Sequence, residues 1–260
     1  MQKHIATHNK IMHADEITAV ALLKVFTDDE IIVHRVDHDT RDFSSYDIVI
    51  DIGRTFDEVK HFDHHQNKGG KSSAGLIWDY LEEWSEYPRI SKLIEMVDMH
   101  DVGTRKAKSF EYPSLLGCFN ISQIHSKEQD VQFDKAVDFA MTVLSSMREA
   151  QDEMEKSKEI TANAYLFDKN PKVLEFERFT PHWSTFINGE LTPYIKAVVW
   201  EDEEEKCWKI QIPPKTVGSF ELAYKPLQQD PLMHFVHSAG FFGIAKSRDN
   251  LVKYVKKSIR

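Results

Sequence analysis

An α/β fold with a mostly parallel N-terminal sheet follows from three features of the 260-residue sequence. Over the N-terminal half, short β-branched stretches alternate with helically spaced apolar residues, the pattern of strand–helix–strand units. The run Ile48, Val49, Ile50 has no polar face, as expected of a strand covered on both sides. A long amphipathic segment then gives way, from Lys172 onward, to short β-like stretches that describe a second, α+β part.

Taken in order, residues 3–7 read as a strand carrying His8 at its C-terminal end. Ala14, Ile17, Val20, Ala21 and Val25 recur at helical spacing, with Lys24 interrupting the stripe, and predict a helix over 14–26. Residues 30–36 and 46–52 read as the next two strands, which places Asp51 near a strand end and Gly53 in the turn. A short edge strand over 59–62 delivers Asp63, His64 and His65, and the polar, glycine-containing stretch 66–71 reads as a loop. Ser72 or Ser73 caps a helix through Leu76, Ile77, Tyr80 and Leu81, and a further helix covers 90–99. Phe133, Val137, Ala140, Met141, Leu144 and Met147 form the stripe of a helix over 130–158. Beyond it, strands are expected over 173–176, 194–200 and 207–212, the last closed by Pro213 and Pro214. The acidic stretch 201–206 is the exposed turn between two of them, and 248–260 is a basic terminal helix. The boundaries drawn are 1–125 for a first domain, 126–158 for a helical connector and 159–260 for a second domain.

Composition narrows the function. A formal net charge of −9 argues against a surface that coats polyanions, although a local basic patch or bound cations can reverse the field at a site. Cys118 and Cys207 stand alone and read as reduced thiols, not a thiolate metal motif. With no apolar leader and no run of about 18 apolar residues, a cytoplasmic, non-membrane protein is expected.

Chemistry concentrates at element ends. His8, His13 and Asp15 form one group, Asp51 a second, Asp63, His64 and His65 a third, and Asp98, His100 and Asp101 a fourth. Imidazoles and carboxylates without thiolates suit Mn²⁺, Mg²⁺, Zn²⁺ or Fe²⁺. Converging carboxylates repel one another unless cations separate them, and a pair of ions sharing one carboxylate can activate water and hold phosphoryl oxygens. Among the 13 histidines, His34, His38, His125, His182 and His234 read as ordinary surface or hydrogen-bonded residues. Trp84, Trp183 and Trp200 fit either an oligomer interface or a core, so a homo-oligomer stays open.

Thr7-His8-Asn9 followed by His13-Ala14-Asp15-Glu16, then Asp51-Ile52-Gly53 and Phe62-Asp63-His64-His65-Gln66, resembles the melanocyte-proliferating-gene-1 (MYG1, UPF0160) family. That family is related to the phosphoesterase superfamily named for its Asp-His-His sequence. The segments 72–77, 97–103 and 235–243 extend the resemblance over nearly the whole chain. It implies two domains around a cleft, the larger N-terminal one DHH-like, with the parallel sheet and two divalent metals, the smaller C-terminal one contacting substrate. His8, His13, Asp15, Asp51, His64 and either Asp98 or Asp101 are then the metal ligands, with Asp51 bridging and Mn²⁺ favoured. His65 faces the phosphoryl group and Asp63 orients a neighbouring histidine. Arg54, His237, Gly240, Gly243, Lys246 and Arg248 are candidate phosphate contacts, Arg54 standing where the family often has glycine. The activity implied is metal-dependent phosphodiester hydrolysis, 3′-to-5′ exonuclease action on RNA or short oligonucleotides. A small-nucleotide phosphatase or pyrophosphatase and a non-catalytic nucleotide- or metal-binding module are the alternatives.

Overall fold

A computed structural model describes residues 1–66, 70–187 and 194–260. The middle of the loop expected over 66–71 lies outside the described residues. The chain divides into two compact units, Met1–Ala150 and Gln151–Arg260.

The first unit is built on strands β1 (Gln2–His8), β2 (Glu30–Val36), β3 (Ile48–Ile50) and β4 (His61–Phe62). They form one all-parallel sheet in the order β2-β1-β3-β4. Strand alternation splits its side chains between two layers. Ile5, Ile48, Ile50 and Phe62 join the helical core, whereas Ala6 and Val49 pack under Val36, Phe43 and Tyr46. Strand β3 is shorter than the expected 46–52, and at its C-terminal end it stops because Asp51 leaves the extended region with φ +57°.

Helix α1 (Ala14–Phe26) is buried continuously from Ala14 to Leu23, including Asp15 and Glu16, and the expected interruption at Lys24 falls in its half-buried last turn. Such all-round burial marks a helix inside a core, not on a surface. Helices α2 (Ser73–Leu81), α3 (Pro88–Asp101) and α4 (Tyr112–Gly117) pack with it, Ser72 being the N-cap residue of α2. Helix α5 (Lys127–Ala162) outruns the expected span at both ends. It contributes Phe133, Ala136, Val137, Ala140 and Leu144 to the first core.

The sheet order explains where a site can form. The chain steps from β1 out to β2, then returns to the other side of β1 to lay down β3. That reversal opens a crevice at the C-terminal ends of β1 and β3, where ligands of open α/β sheets bind. Thr7 pairs with Ile50, and Ile50 with Phe62. The next row along these strands is therefore His8, Asp51 and Asp63.

The second unit holds a six-stranded mixed sheet, ordered β5 (Tyr165–Leu166), β6 (Val173–Phe176), β7 (Ala197–Asp202), β8 (Cys207–Gln211), β10 (Phe242–Ala245) and β9 (Phe235–Val236). Only β6 and β7 run parallel; β7 and β8 make the expected hairpin around the acidic turn. Helix α7 (Arg248–Ser258) covers one face through Leu251, Tyr254 and Val255, and α6 (Trp183–Ile187) joins the cluster on the other. Trp183 and Trp200 are core residues, while Trp84 is 59% exposed. Both cysteines are free, and no helix among the described residues is long and apolar enough to cross a membrane.

Candidate metal centre

Five elements, β1, β3, the end of β4, and helices α1 and α3, bring polar side chains to the crevice of the first unit. From β1 comes His8, fully buried, whose Nδ1 lies 3.0 Å from the Asn9 carbonyl oxygen. Its Nε2 lies 3.2 Å from Asp51 Oδ2 and 3.3 Å from Glu16 Oε1. From β3 comes Asp51, whose left-handed backbone is tolerated by aspartate at some cost in strain. Its second oxygen, Oδ1, lies 3.3 Å from His64 Nε2 and accepts a hydrogen bond from Ser73 Oγ at 3.3 Å.

The start of α1 supplies His13 as N-cap residue, then Asp15 and Glu16 in the positive first turn, where the helix dipole favours carboxylates. The His13 N–H donates to Glu16 Oε1 at 2.7 Å. His13's loop is pinned by Asn120, which clamps Met12 through both its N–H (3.0 Å) and its carbonyl (2.8 Å). Gln129 and Arg35 both donate to the Lys10 carbonyl.

Two histidines follow β4. The His64 Nε2 sits 3.0 Å from Asp101 Oδ2 and 3.7 Å from Asp15 Oδ2. The more exposed His65 ring is held by Asp63, whose Oδ1 lies 2.8 Å from His65 Nδ1, while Asp63 Oδ2 accepts the Arg54 N–H at 2.7 Å. Asp63 thus orients His65 and ties down the turn after β3.

Three overlapping groups have donor atoms within 4.8 Å of one another: His8, His13, Glu16 and Asp51; Asp51, His64 and His65; and Asp15, His64 and Asp101. Both oxygens of the wholly buried Asp15 lack a hydrogen-bond partner, as does Glu16 Oε2. Buried carboxylate oxygens left bare are expensive, and a cation is the chemistry that satisfies them. The donor set therefore fits divalent metal binding.

Protonation follows the same logic. Burial, with the neighbouring Asp51 and Asp101 charges, pushes the Asp15 carboxyl up to about 8, and burial drives Glu16 well above the usual range. Burial opposes the His64 imidazolium, but the Asp101 and Asp51 carboxylates override it and raise the ring to about 10. Burial likewise opposes Asp51 ionisation, yet His64 and His8 hold its carboxyl well below the usual range.

The two aspartates of α3 part company. Asp98 Oδ1 accepts from the Ser72 N–H (2.9 Å) and hydroxyl (2.7 Å), capping α2. Asp98 packs so closely that a Cβ on Gly75 would lie 2.5 Å from its carboxylate. Asp101 faces His64 instead. His100 turns away, its Nδ1 accepting from the Ala107 N–H at 3.1 Å.

Two further residues join the site: Glu16, outside the expected ligand set, and His38, expected to be an ordinary histidine. Glu16 is three residues past the N-cap His13, the capping-box position that brings a carboxylate back to the helix start. His38 stacks on His8 with centroids 4.7 Å apart. It lies two residues beyond the end of β2, so the strand-end argument that found His8 applies to it as well.

The remaining predicted contacts are in the second unit. Gly240 turns with φ +69°, its N–H donating to the His237 carbonyl at 2.7 Å, and Gly243 sits inside β10. His237 Nδ1 accepts from the Ala239 N–H at 3.1 Å. Arg248 pairs with Glu175 at 2.9 Å and lies over the Phe167 and Trp208 rings; Lys246 is exposed.

Residues 4–84 and 89–259 match the family MYG1_exonuc, described as "Uncharacterised protein family (UPF0160)". The chain is 24% identical to MYG1 protein YER156C of Saccharomyces cerevisiae over 331 aligned positions, covering 100% of this chain and 96% of the yeast protein. It is 24% identical to the Homo sapiens MYG1 exonuclease over 327 positions, covering 98% of this chain and 85% of the human one. With the MYG1 protein of Chlamydia pneumoniae it shares 32% identity over 159 positions, 56% of this chain and 54% of that protein.

Proposed function

We propose that this chain, which belongs to the MYG1_exonuc family (UPF0160), is a divalent-metal-dependent phosphodiesterase of DHH type that acts as a 3′-to-5′ exonuclease on RNA or short oligonucleotides. The family and the metal-ligand clusters support a hydrolase or nuclease-like function. The observation that carries the finer reading is Asp51, whose two carboxylate oxygens face two different histidines, His8 and His64.

In this reading His8, His13, Glu16 and Asp51 hold one ion, and Asp15, Asp51, His64 and Asp101 hold the other, with Mn²⁺ the favoured metal. Bound there, the ions would supply Lewis acidity and an activated water for in-line attack on phosphorus. The Nδ1 of His65 is engaged by Asp63, which leaves Nε2 to donate to a phosphoryl or leaving oxygen. Asp98 acts through helix capping, not ligation.

The test is product analysis with metal-supplemented wild type, Asp51→Asn and His64→Ala on RNA, DNA, dinucleotides and pyrophosphate. The proposal expects mononucleotides released from 3′ ends by wild type alone. Hydrolysis of pyrophosphate without cleavage of any phosphodiester would replace it with the small-substrate reading. Stoichiometric metal binding with no product from any substrate would leave a binding module.

A further inference from the structure

A cavity of about 420 Å³ opens beside the clusters, and it carries cations that the chemistry above leaves unused. Its wall includes the carboxylates Asp51 and Asp63, the rings of His38 and His65, and the guanidinium groups of Arg41 and Arg54. Several arginines of the chain lack a carboxylate partner among the described residues, but Arg41 and Arg54 are the two that line this cavity. Neither Arg41 nor Arg54 has such a partner among the described residues. Arg41 is steadied by its own turn, one guanidinium nitrogen donating to the His38 carbonyl at 3.2 Å and the Thr40 carbonyl at 2.9 Å. The other donors of that fork have no protein acceptor among the described residues.

Arg54 is held in a less comfortable way. Its φ is +52°, a left-handed conformation that glycine adopts freely and an L-residue adopts at a cost. The Asp63 carboxylate fixes the turn through the Arg54 N–H. A strained position keeping a long cationic side chain, next to a cavity, is strain with a use.

We propose that this cavity is a subsite for a second, uncleaved phosphate of the substrate, held by Arg41 and Arg54 with His38 beside them. Two guanidinium groups without a carboxylate partner among the described residues match the oxygens of a phosphate, and their charge offsets an acidic centre that would otherwise repel a polyanion. The inference rests on the phosphodiesterase reading and narrows its substrate class. A diester flanked by another phosphate fits; a lone diester fills only half the site.

The experiment compares a dinucleotide with no terminal phosphate against the same dinucleotide phosphorylated at its 5′ or its 3′ end. Wild type, Arg41→Gln and Arg54→Gly are assayed for kcat/KM with each. Glycine at position 54 removes the side chain and relieves the backbone, so a folding defect is not expected there. One of the two terminal phosphates should raise wild-type kcat/KM at least ~10-fold, and either substitution should bring that ratio down to within ~2-fold. No preference in wild type, or a preference that persists in both variants, overturns the subsite. In parallel, inorganic phosphate is titrated into the metal-free protein and followed by NMR of the histidine rings. Saturable binding that weakens ~10-fold in each variant is expected. If no dinucleotide is cleaved, the phosphodiesterase reading fails, and this titration alone judges the subsite: its loss in the variants sustains it, and absent or unaltered binding overturns it.

Discussion

Metal binding to this centre should expel protons, and its affinity should therefore climb steeply with pH. In the metal-free protein His64 is raised to about 10 and Asp15 to about 8, so both hold their protons near neutrality. Coordination needs the neutral imidazole and the ionised carboxylate. Filling both sites thus displaces at least these two protons. Each displaced proton raises the association constant ~10-fold per pH unit, about 1.4 kcal/mol. From about pH 6 to about pH 7 the combined constant for the two sites should then rise at least ~100-fold. Above about pH 8 Asp15 ionises unaided, and the slope should relax by ~10-fold per pH unit. Mn²⁺ affinity is read by competition with a chromophoric chelator, and the proton count by calorimetry in two buffers of unlike ionisation enthalpy. Asp15→Asn should lower the count by about one. A slope near zero with no heat difference between buffers would refute the reasoning, since it would mean that the donors are already stripped of protons before metal arrives.

Thermal stability of the metal-free protein should fall as pH rises from about 6 to about 8, because the folded chain there binds more protons than the unfolded one at both Asp15 and His64. Saturating Mn²⁺ should abolish that decline in Tm. Asp101→Asn should cost about one equivalent of bound metal in elemental analysis, whereas Asp98→Ala should keep the stoichiometry and lose about 1 kcal/mol of stability with the α2 cap. Metal loss in the second variant, or none in the first, would reverse those assignments. Gly75→Ala should destabilise by about 1–3 kcal/mol in denaturant unfolding, because its Cβ meets the Asp98 carboxylate.

Which parts of this were legible in the sequence follows from what each signal depends on. Helix α1 and strand β2 were readable to the residue, since local apolar spacing determines them. His8, Asp51 and Asp63 were readable as strand-end residues, and the parallel register sets them in one row. The division between Asp98 and Asp101 was not, because both sit on the last turns of α3. Only the tertiary position of Ser72 and His64 decides which carboxylate goes where. Glu16 was hidden for the opposite reason: a glutamate in a first helical turn has a sufficient local explanation as a cap. The short strands β9 and β10 had no such local cue, since β10 contains Gly243 and pairs with β8 across a long interval of chain.

The electrostatics of the centre carry their own argument about why the fold tolerates it. Asp15, Glu16 and Asp51 are buried together, a grouping that mutual repulsion should forbid. In the metal-free protein, protons answer for the missing positive charge: Asp15 and Glu16 are driven toward their neutral forms, while His8 and His64 are held toward their cationic ones. These protonations put a proton where a cation would otherwise lie between two donors. His64, between Asp15, Asp51 and Asp101, is the clearest instance, since its Nε2 proton occupies the direction a metal bond would take. Protonation thus lets the folded chain hold this carboxylate cluster without a metal, and on the proposed function the exchange of protons for metal ions would turn a neutralised core into a reactive one.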